Sequence, residues 1–500
     1  MMRTITYDRC LQATKNGVFR FAELSTGSLT YDDLLFVADY LRRTDVNAID
    51  VSMVITKENV LGLQALSQVI SQKEHLTHLT FRAFHTELHL ERSENILESI
   101  INYFSNKSVK KFNKLIYEAM LTMVDNKPHL QGLNIDLMPV ETPLDKKKVY
   151  KFAKCIQNYP LSSLSLNFMV AENAKLPLLK KGANQTLTHL KLQRMAFGRD
   201  VFNVLQQTNA LQSLVIEDMK FQEKDFQKID TLLKRNKKLE RLTLSQTNLG
   251  QIDCSPLFDS LKECTALRKL TLAENNLSFL NSTELCNYLA AAPNLAELDL
   301  HGNAYMAPDA IRIAHSLAGS TQISRLIVDG NYIEDDGLRA IIDMVHAKKQ
   351  FSALSISHTF RYQPSDETIE HLCALFRDPE CQLKEFSLLQ KLPPSQLKKV
   401  CDAILDNKSL TQANIKYNFD SISDIIYKIK IQSHLDGLDP LEFDPAFLDM
   451  DDELEKPSEA NQQTVSVKNL ADTFFSSPKE TSPEEEGELT SQNMSCQNTP

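Results

Sequence analysis

The sequence predicts an α/β solenoid in which short parallel strands form an inner sheet and helices form an outer row. Three observations carry this prediction. The phrase "LAELDLHGNAY" at 295–305 is written as "LRKLTLAENNL" 28 residues earlier and as "ISRLIVDGNYI" 28 residues later. Its start recurs at Leu211, Leu239, Leu267, Leu295, Ile323 and Phe351, five equal steps of 28. Apolar residues recur 18 and 22 places after each start, at Ile229/Leu233, Leu257/Leu261, Leu285/Leu289, Ile313/Leu317 and Ile341/Val345.

Each part of the unit follows from its pattern. The phrase LxxLxL is a short strand, because residues four and six point to one face while their neighbours point to the other. The side chain at position nine, Asn275, Asn303 or Asn331, can bond free backbone groups where the chain leaves the strand. The i, i+4 apolar pair marks the buried stripe of a helix. One strand–turn–helix unit cannot bury both of its apolar faces alone, so the units must stack.

On these residues the chain resembles the ribonuclease-inhibitor-like class of leucine-rich repeats. The closest match is "LIVDGNYIEDDGLRAIIDMV", where Gly337 opens the helical half. The resemblance implies a horseshoe-shaped leucine-rich-repeat solenoid. The phrase is also present at Val46, Leu76, Leu130, Leu161, Leu187, Leu383 and Leu410, and more weakly at Val18, so the resemblance covers about 18–420. Met195, Met219, Thr247 and Thr359 replace the asparagine in some units, whose turns must be held differently. The interval from Leu76 to Leu130 includes an irregular helical stretch at about 82–128. A unit with a degraded strand near Val109 is expected there, with an inserted helical pair as the alternative.

The remaining boundaries follow from composition. Residues 1–17 read as an N-terminal cap and 421–454 as a C-terminal cap and linker, with Ile422, Ile425, Ile426 and Ile429 on one amphipathic segment. Residues 455–500 read as a disordered acidic tail, too polar to offset its ordering entropy. Within 436–500 there are 16 acids and three lysines, so the body of the chain is left at +3. That balance argues against the basic stripe of a nucleic-acid binder. Apolar clusters at Leu441/Phe443/Phe447/Leu448 and Leu470/Phe474/Phe475 could dock in a partner's groove.

No run of eighteen apolar residues is present, and the first residues lack a signal-peptide core, so a cytoplasmic chain with no membrane span is expected. The nine cysteines show no metal spacing and are expected as reduced packing groups. Phosphate-binding, metalloprotease, esterase and kinase motifs are absent from the sequence.

Positions three, five and seven of each phrase face away from the helices. Glu297, Asp299, His301, Arg325 and Asp329 make the densest charged group there and are the candidate partner-binding residues. A metal or acid–base set could be drawn from Asp299, His301 and Asp329, but a solvated polar sheet face is the favoured reading, with protein binding second. The expectation is therefore a monomeric, non-enzymatic protein-interaction module with no catalytic residue, metal or cofactor.

Glu484, Glu485, Glu486 and Glu488, within the last 17 residues, resemble the glutamate-rich C-terminal signal of effectors of the Dot/Icm type IVB secretion system. The resemblance implies translocation into a host cytoplasm to bind a host protein. Two alternatives stand beside it: a GTPase regulator similar to the Ran GTPase-activating proteins, and an endogenous cytosolic scaffold.

Overall fold

The computed structural model describes residues 5–24, 28–56, 58–85, 107–138, 146–168, 186–194, 208–277, 281–348, 350–417 and 422–437. Residues 1–416 with 431–438 form one compact unit, and 417–430 with 439–500 a second. The glutamates at 484–488 and the apolar clusters of the tail lie outside the described residues.

The first unit is built on one fifteen-stranded sheet whose spatial order is its chain order. The strands are β1 (Thr14–Lys15), β2 (Val18–Arg20), β3 (Ala48–Ile55), β4 (His78–His85), β5 (Gly132–Met138), β6 (Ser163–Asn167), β7 (His189–Gln193) and β8 (Ser213–Glu217). They continue with β9 (Arg241–Ser245), β10 (Lys269–Thr271), β11 (Glu297–Asp299), β12 (Arg325–Ile327), β13 (Ala353–Ser355), β14 (Glu385–Leu388) and β15 (Gln412–Ile415). From β3 onward every strand begins at position three of its phrase. β2 to β15 pair in parallel, and equivalent residues such as Leu270, Leu298, Leu326 and Leu354 stand in register.

The helices are α1 (Tyr7–Gln12), α2 (Tyr31–Arg43), α3 (Val60–Ser71), α4 (Lys107–Val124), α5 (Lys146–Ile156), α6 (Glu223–Arg235) and α7 (Ser255–Lys262). They continue with α8 (Ser282–Ala291), α9 (Ala307–Ala318), α10 (Glu334–His346), α11 (Asp366–Arg377), α12 (Pro394–Asp406) and α13 (Ile422–Leu435). Successive helices pack side by side from α2 to α5 and from α6 to α12. Their i, i+4 pairs, from Ile229/Leu233 to Ile341/Val345, are buried together with the strand leucines. Gly337 allows the closest of these contacts. A β-carbon there would stand 2.5 Å from Ile333 and 2.9 Å from Ala310, which lies on the preceding helix.

Two rows of polar side chains tie the units together. In the first row, the side-chain oxygen of Asn331 accepts from the N–H groups of Asn303 and Tyr305, both at 3.0 Å, while its amide donates to Leu300 and Val328 carbonyls. Asn303 does the same for Asn275 and Leu277, and Asn275 for Thr247. The second row lies three residues before each phrase. Asn236 donates to the Thr208 carbonyl at 3.0 Å, Lys73 to that of Thr44 at 2.7 Å, Lys127 to that of Ser71 at 2.7 Å, and Lys348 to that of Ser320. The three lysines occupy carbonyls at or just past the C-termini of α2, α3 and α9, where the helix leaves acceptors free.

Two expectations need correction. Val18 lies opposite Ala48, not Val46, because Asn16 and Gly17, with φ of 53° and 74°, make a tight turn that pairs β1 with β2 antiparallel. The turn shifts the first unit by two residues. No strand forms at Val109: it lies within α4, and β4 pairs directly with β5. The apolar residues of 112–123 recur at helical spacing, and Phe112, Ile116, Ala119 and Met123 are buried along that stripe.

Candidate functional site

The open face of the sheet is set by strand alternation. Leu298 and Leu300 are buried beneath it, whereas Glu297 and Asp299 are half-exposed on top. The five candidate residues do lie on adjacent strands, with Glu297 directly opposite Arg325. Their ion-pair partners, however, are not one another.

Glu297 turns back one strand to Lys269, Oε2 to Nζ 2.8 Å. Arg325 reaches two strands forward to Glu385 at 2.5 Å, crossing Ala353, whose methyl group leaves the path clear. The His301 imidazole faces Glu274 at 3.8 Å, while the His301 main-chain N–H donates to Asp299 at 3.0 Å. Asp329 accepts from the Ser355 hydroxyl at 2.8 Å and the Ser357 N–H at 2.7 Å.

Asp299 and Asp329 are thus left without an ion-pair partner among the described residues. Burial pushes the Asp299 carboxyl above its usual range, and the nearby Asp329 charge adds to this. The His301 N–H, the His301 ring and Lys269 act in the opposite direction without cancelling the rise. Two carboxylates held this way attract a cation. Among the described residues no group of three or more His, Cys, Asp and Glu side chains could hold a metal ion.

A second polar cluster lies nearer the N-terminus. Arg194 Nε donates to Asn167, whose amide donates to Asp136, each at 2.9 Å, and Lys191 pairs with Glu217 at 2.7 Å. Burial raises the Asp136 carboxyl against the pull of Arg194, Arg82 and Lys191. Here Glu217 is ion-paired and Asp136 is surrounded by three cations.

The turns that leave β11 to β14 carry exposed apolar side chains that strand positions alone did not single out. Met306 is 51% exposed, Tyr332 40%, Tyr362 79% and Leu389 39%. For Met306, Tyr332 and Tyr362 the signal in the sequence is a large apolar residue one to three places past the asparagine position, whereas Leu389 stands two places before it.

No family model matches the chain, and no curated protein matches it. Among solved structures it is similar to the yeast Rad7 and Elc1 complex, with 16% identity over 73% of this chain and 84% of that chain, at a TM-score of 0.43. An internalin from Listeria monocytogenes is 13% identical over 79% of this chain and 86% of its own, at 0.38. The tropomodulin C-terminal domain of Caenorhabditis elegans is 14% identical over 29% and 88%, at 0.26. The decisive feature is internal: 28-residue units, parallel strands in chain order, and an asparagine row that closes each turn. The chain folds as an α/β leucine-rich-repeat solenoid. Its polar open face and the adjoining turn edge are its candidate functional surface.

Proposed function

We propose that this solenoid is a non-enzymatic protein-interaction module, acting as a monomer, that receives its partner on the open sheet face around Asp299 and Asp329. The observation that supports this reading is selective charge neutralisation. Glu297 and Arg325 have ion-pair partners within the chain, whereas among the described residues these two carboxylates have only hydrogen-bond donors. A rigid sheet loses little entropy on binding, so a few such groups suffice for recognition. The test is the double reversal Asp299→Lys with Asp329→Lys. Capture of a partner from host lysate should weaken while the variant keeps a cooperative melting transition. Equal capture by parent and variant would place the interface elsewhere.

The finer reading is a translocated bacterial effector whose partner is a host protein. It is supported by the acidic cluster Glu484, Glu485, Glu486 and Glu488, which a receptor could read by charge complementarity. Changing the four glutamates to Gln should abolish delivery of a fused reporter by a type IVB-competent bacterium. Full delivery by that variant would remove the support.

A further inference from the structure

The geometry points to one kind of occupant for this surface: an extended segment of a partner protein that sets an Arg or Lys between Asp299 and Asp329 and an apolar side chain over Met306, Tyr332 and Tyr362. The inference rests on the interaction reading above and deepens it by naming the partner's chemistry.

The apolar and acidic parts are physically joined. Met306 and Tyr332 are linked by a parallel bridge, and the Tyr332 N–H donates to the Tyr305 carbonyl at 2.7 Å. The Arg361 guanidinium lies 4.3 Å from the centre of the Tyr332 ring. The Gln390 amide donates to the Tyr362 carbonyl at 3.5 Å. Ser357 connects the two parts, since its N–H donates to Asp329 and its hydroxyl accepts from the Leu389 N–H at 3.1 Å.

The composition matches that of energetically dominant interface residues, which are rich in Tyr, Arg and Met. Stacking by Arg361 fixes the Tyr332 ring before a partner arrives, so little rotamer freedom remains to be lost. Charge decides the sign of the partner. The Arg361 guanidinium is engaged with the ring, and among the described residues it forms no ion pair with Asp299 or Asp329. Asp299 and Asp329 therefore favour a cation, the more strongly for being half-buried. Asp329 and Tyr332 are three residues apart in sequence, at most about 10 Å along the chain. A cation and an apolar side chain within about three residues of each other in an extended peptide meet both parts. The chain's own residues 436–500, with 16 acids against three lysines, carry the wrong sign to fill this place.

The experiment uses the full chain and four fluorescein-labelled octapeptides on a Gly/Ser background, read by anisotropy. They carry Arg with Phe two residues on, Arg with Ser, Gln with Phe, and Glu with Phe. The Arg/Phe probe should bind about tenfold or more tighter than each of the others. Asp299→Asn with Asp329→Asn should erase the preference for Arg over Gln. Tyr332→Ser with Tyr362→Ser should erase the preference for Phe over Ser, with parental melting in both variants. Equal binding of all probes, no binding at about 1 mM, or preferences unchanged in the variants would overturn the inference. Self-association lost in Tyr362→Ser would also overturn it, making a second copy the occupant. Lysate capture that needs the two aspartates but not the two tyrosines would sink this inference while the interaction reading stands.

Discussion

The main-chain N–H of Asn303 ends on the side-chain oxygen of Asn331, 3.0 Å away in the next unit. Both asparagines are buried, so neither group has water as an alternative partner. Replacing Asn303 by Ala orphans the N–H groups of Asn275 and Leu277 and removes three donated bonds to carbonyls. The expected loss is on the order of 3 kcal/mol, read as a lower urea midpoint. An unchanged midpoint would mean that the row only decorates the turns.

Leu298 and Leu326 stand in register beneath the open face and are almost fully buried. Truncating either to Ala should cost about 2 to 5 kcal/mol through cavity formation. Thermal melting checks this, and an unshifted transition would contradict their burial.

Lys127 predicts a pH effect with a definite sign. It is fully buried, donating to the carbonyls of Ser71 and Asp125, and burial lowers its amine from 10.5 to about 8 despite Asp125 and Glu74. Between those values the unfolded chain holds a proton that the folded chain has released. This group therefore adds stability as pH rises, by up to about 1.4 kcal/mol per unit. Below about 8 both states hold the proton and the cost of burying the ammonium is constant. The stability difference between parent and Lys127→Met should be flat below that value and climb above it. Comparing the two chains also removes the opposing contribution of buried thiols such as Cys254, which burial pushes up to about 12. A difference that stays flat through about pH 10 would refute the assignment.

Thiol accessibility gives a fourth test. Cys10, Cys254, Cys264, Cys286, Cys373 and Cys401 are buried, whereas Cys155 and Cys381 are partly exposed. Brief alkylation of the folded protein followed by peptide mapping should label those two first among the described cysteines. Early labelling of Cys254 or Cys373 would show that the helix layer opens readily.

The strands and helices were legible because the equal spacing of 28 tied each buried leucine to the next. The asparagine turns were legible for the same reason. The start at Val18 was misplaced because a two-residue turn, Asn16–Gly17, leaves no trace in a spacing of leucines. Val109 was misread because the interval of 54 from Leu76 to Leu130 suggested room for one more unit, whereas the helical stripe there buries Phe112, Ile116 and Met123. The candidate residues were placed correctly on one face. Their pairing was not legible, since Arg325 depends on the small Ala353 to reach Glu385 across a strand. The roles of Lys73, Lys127 and Lys348 are not legible in the sequence, because each meets a carbonyl 28 or more residues away.

The asparagine row also has a polarity. Each turn obtains its N–H acceptor from the unit that follows it, whereas an asparagine's amide donates both to carbonyls of its own unit and to one of the unit before. Peeling away a later unit therefore strands two turn donors in the one before, and peeling away an earlier unit takes the acceptors from donors in the one after, among them the Ser324 and Tyr332 N–H groups. Fraying of this part of the molecule therefore leaves unmet donors whichever end it starts from, so each unit is clamped by both of its neighbours.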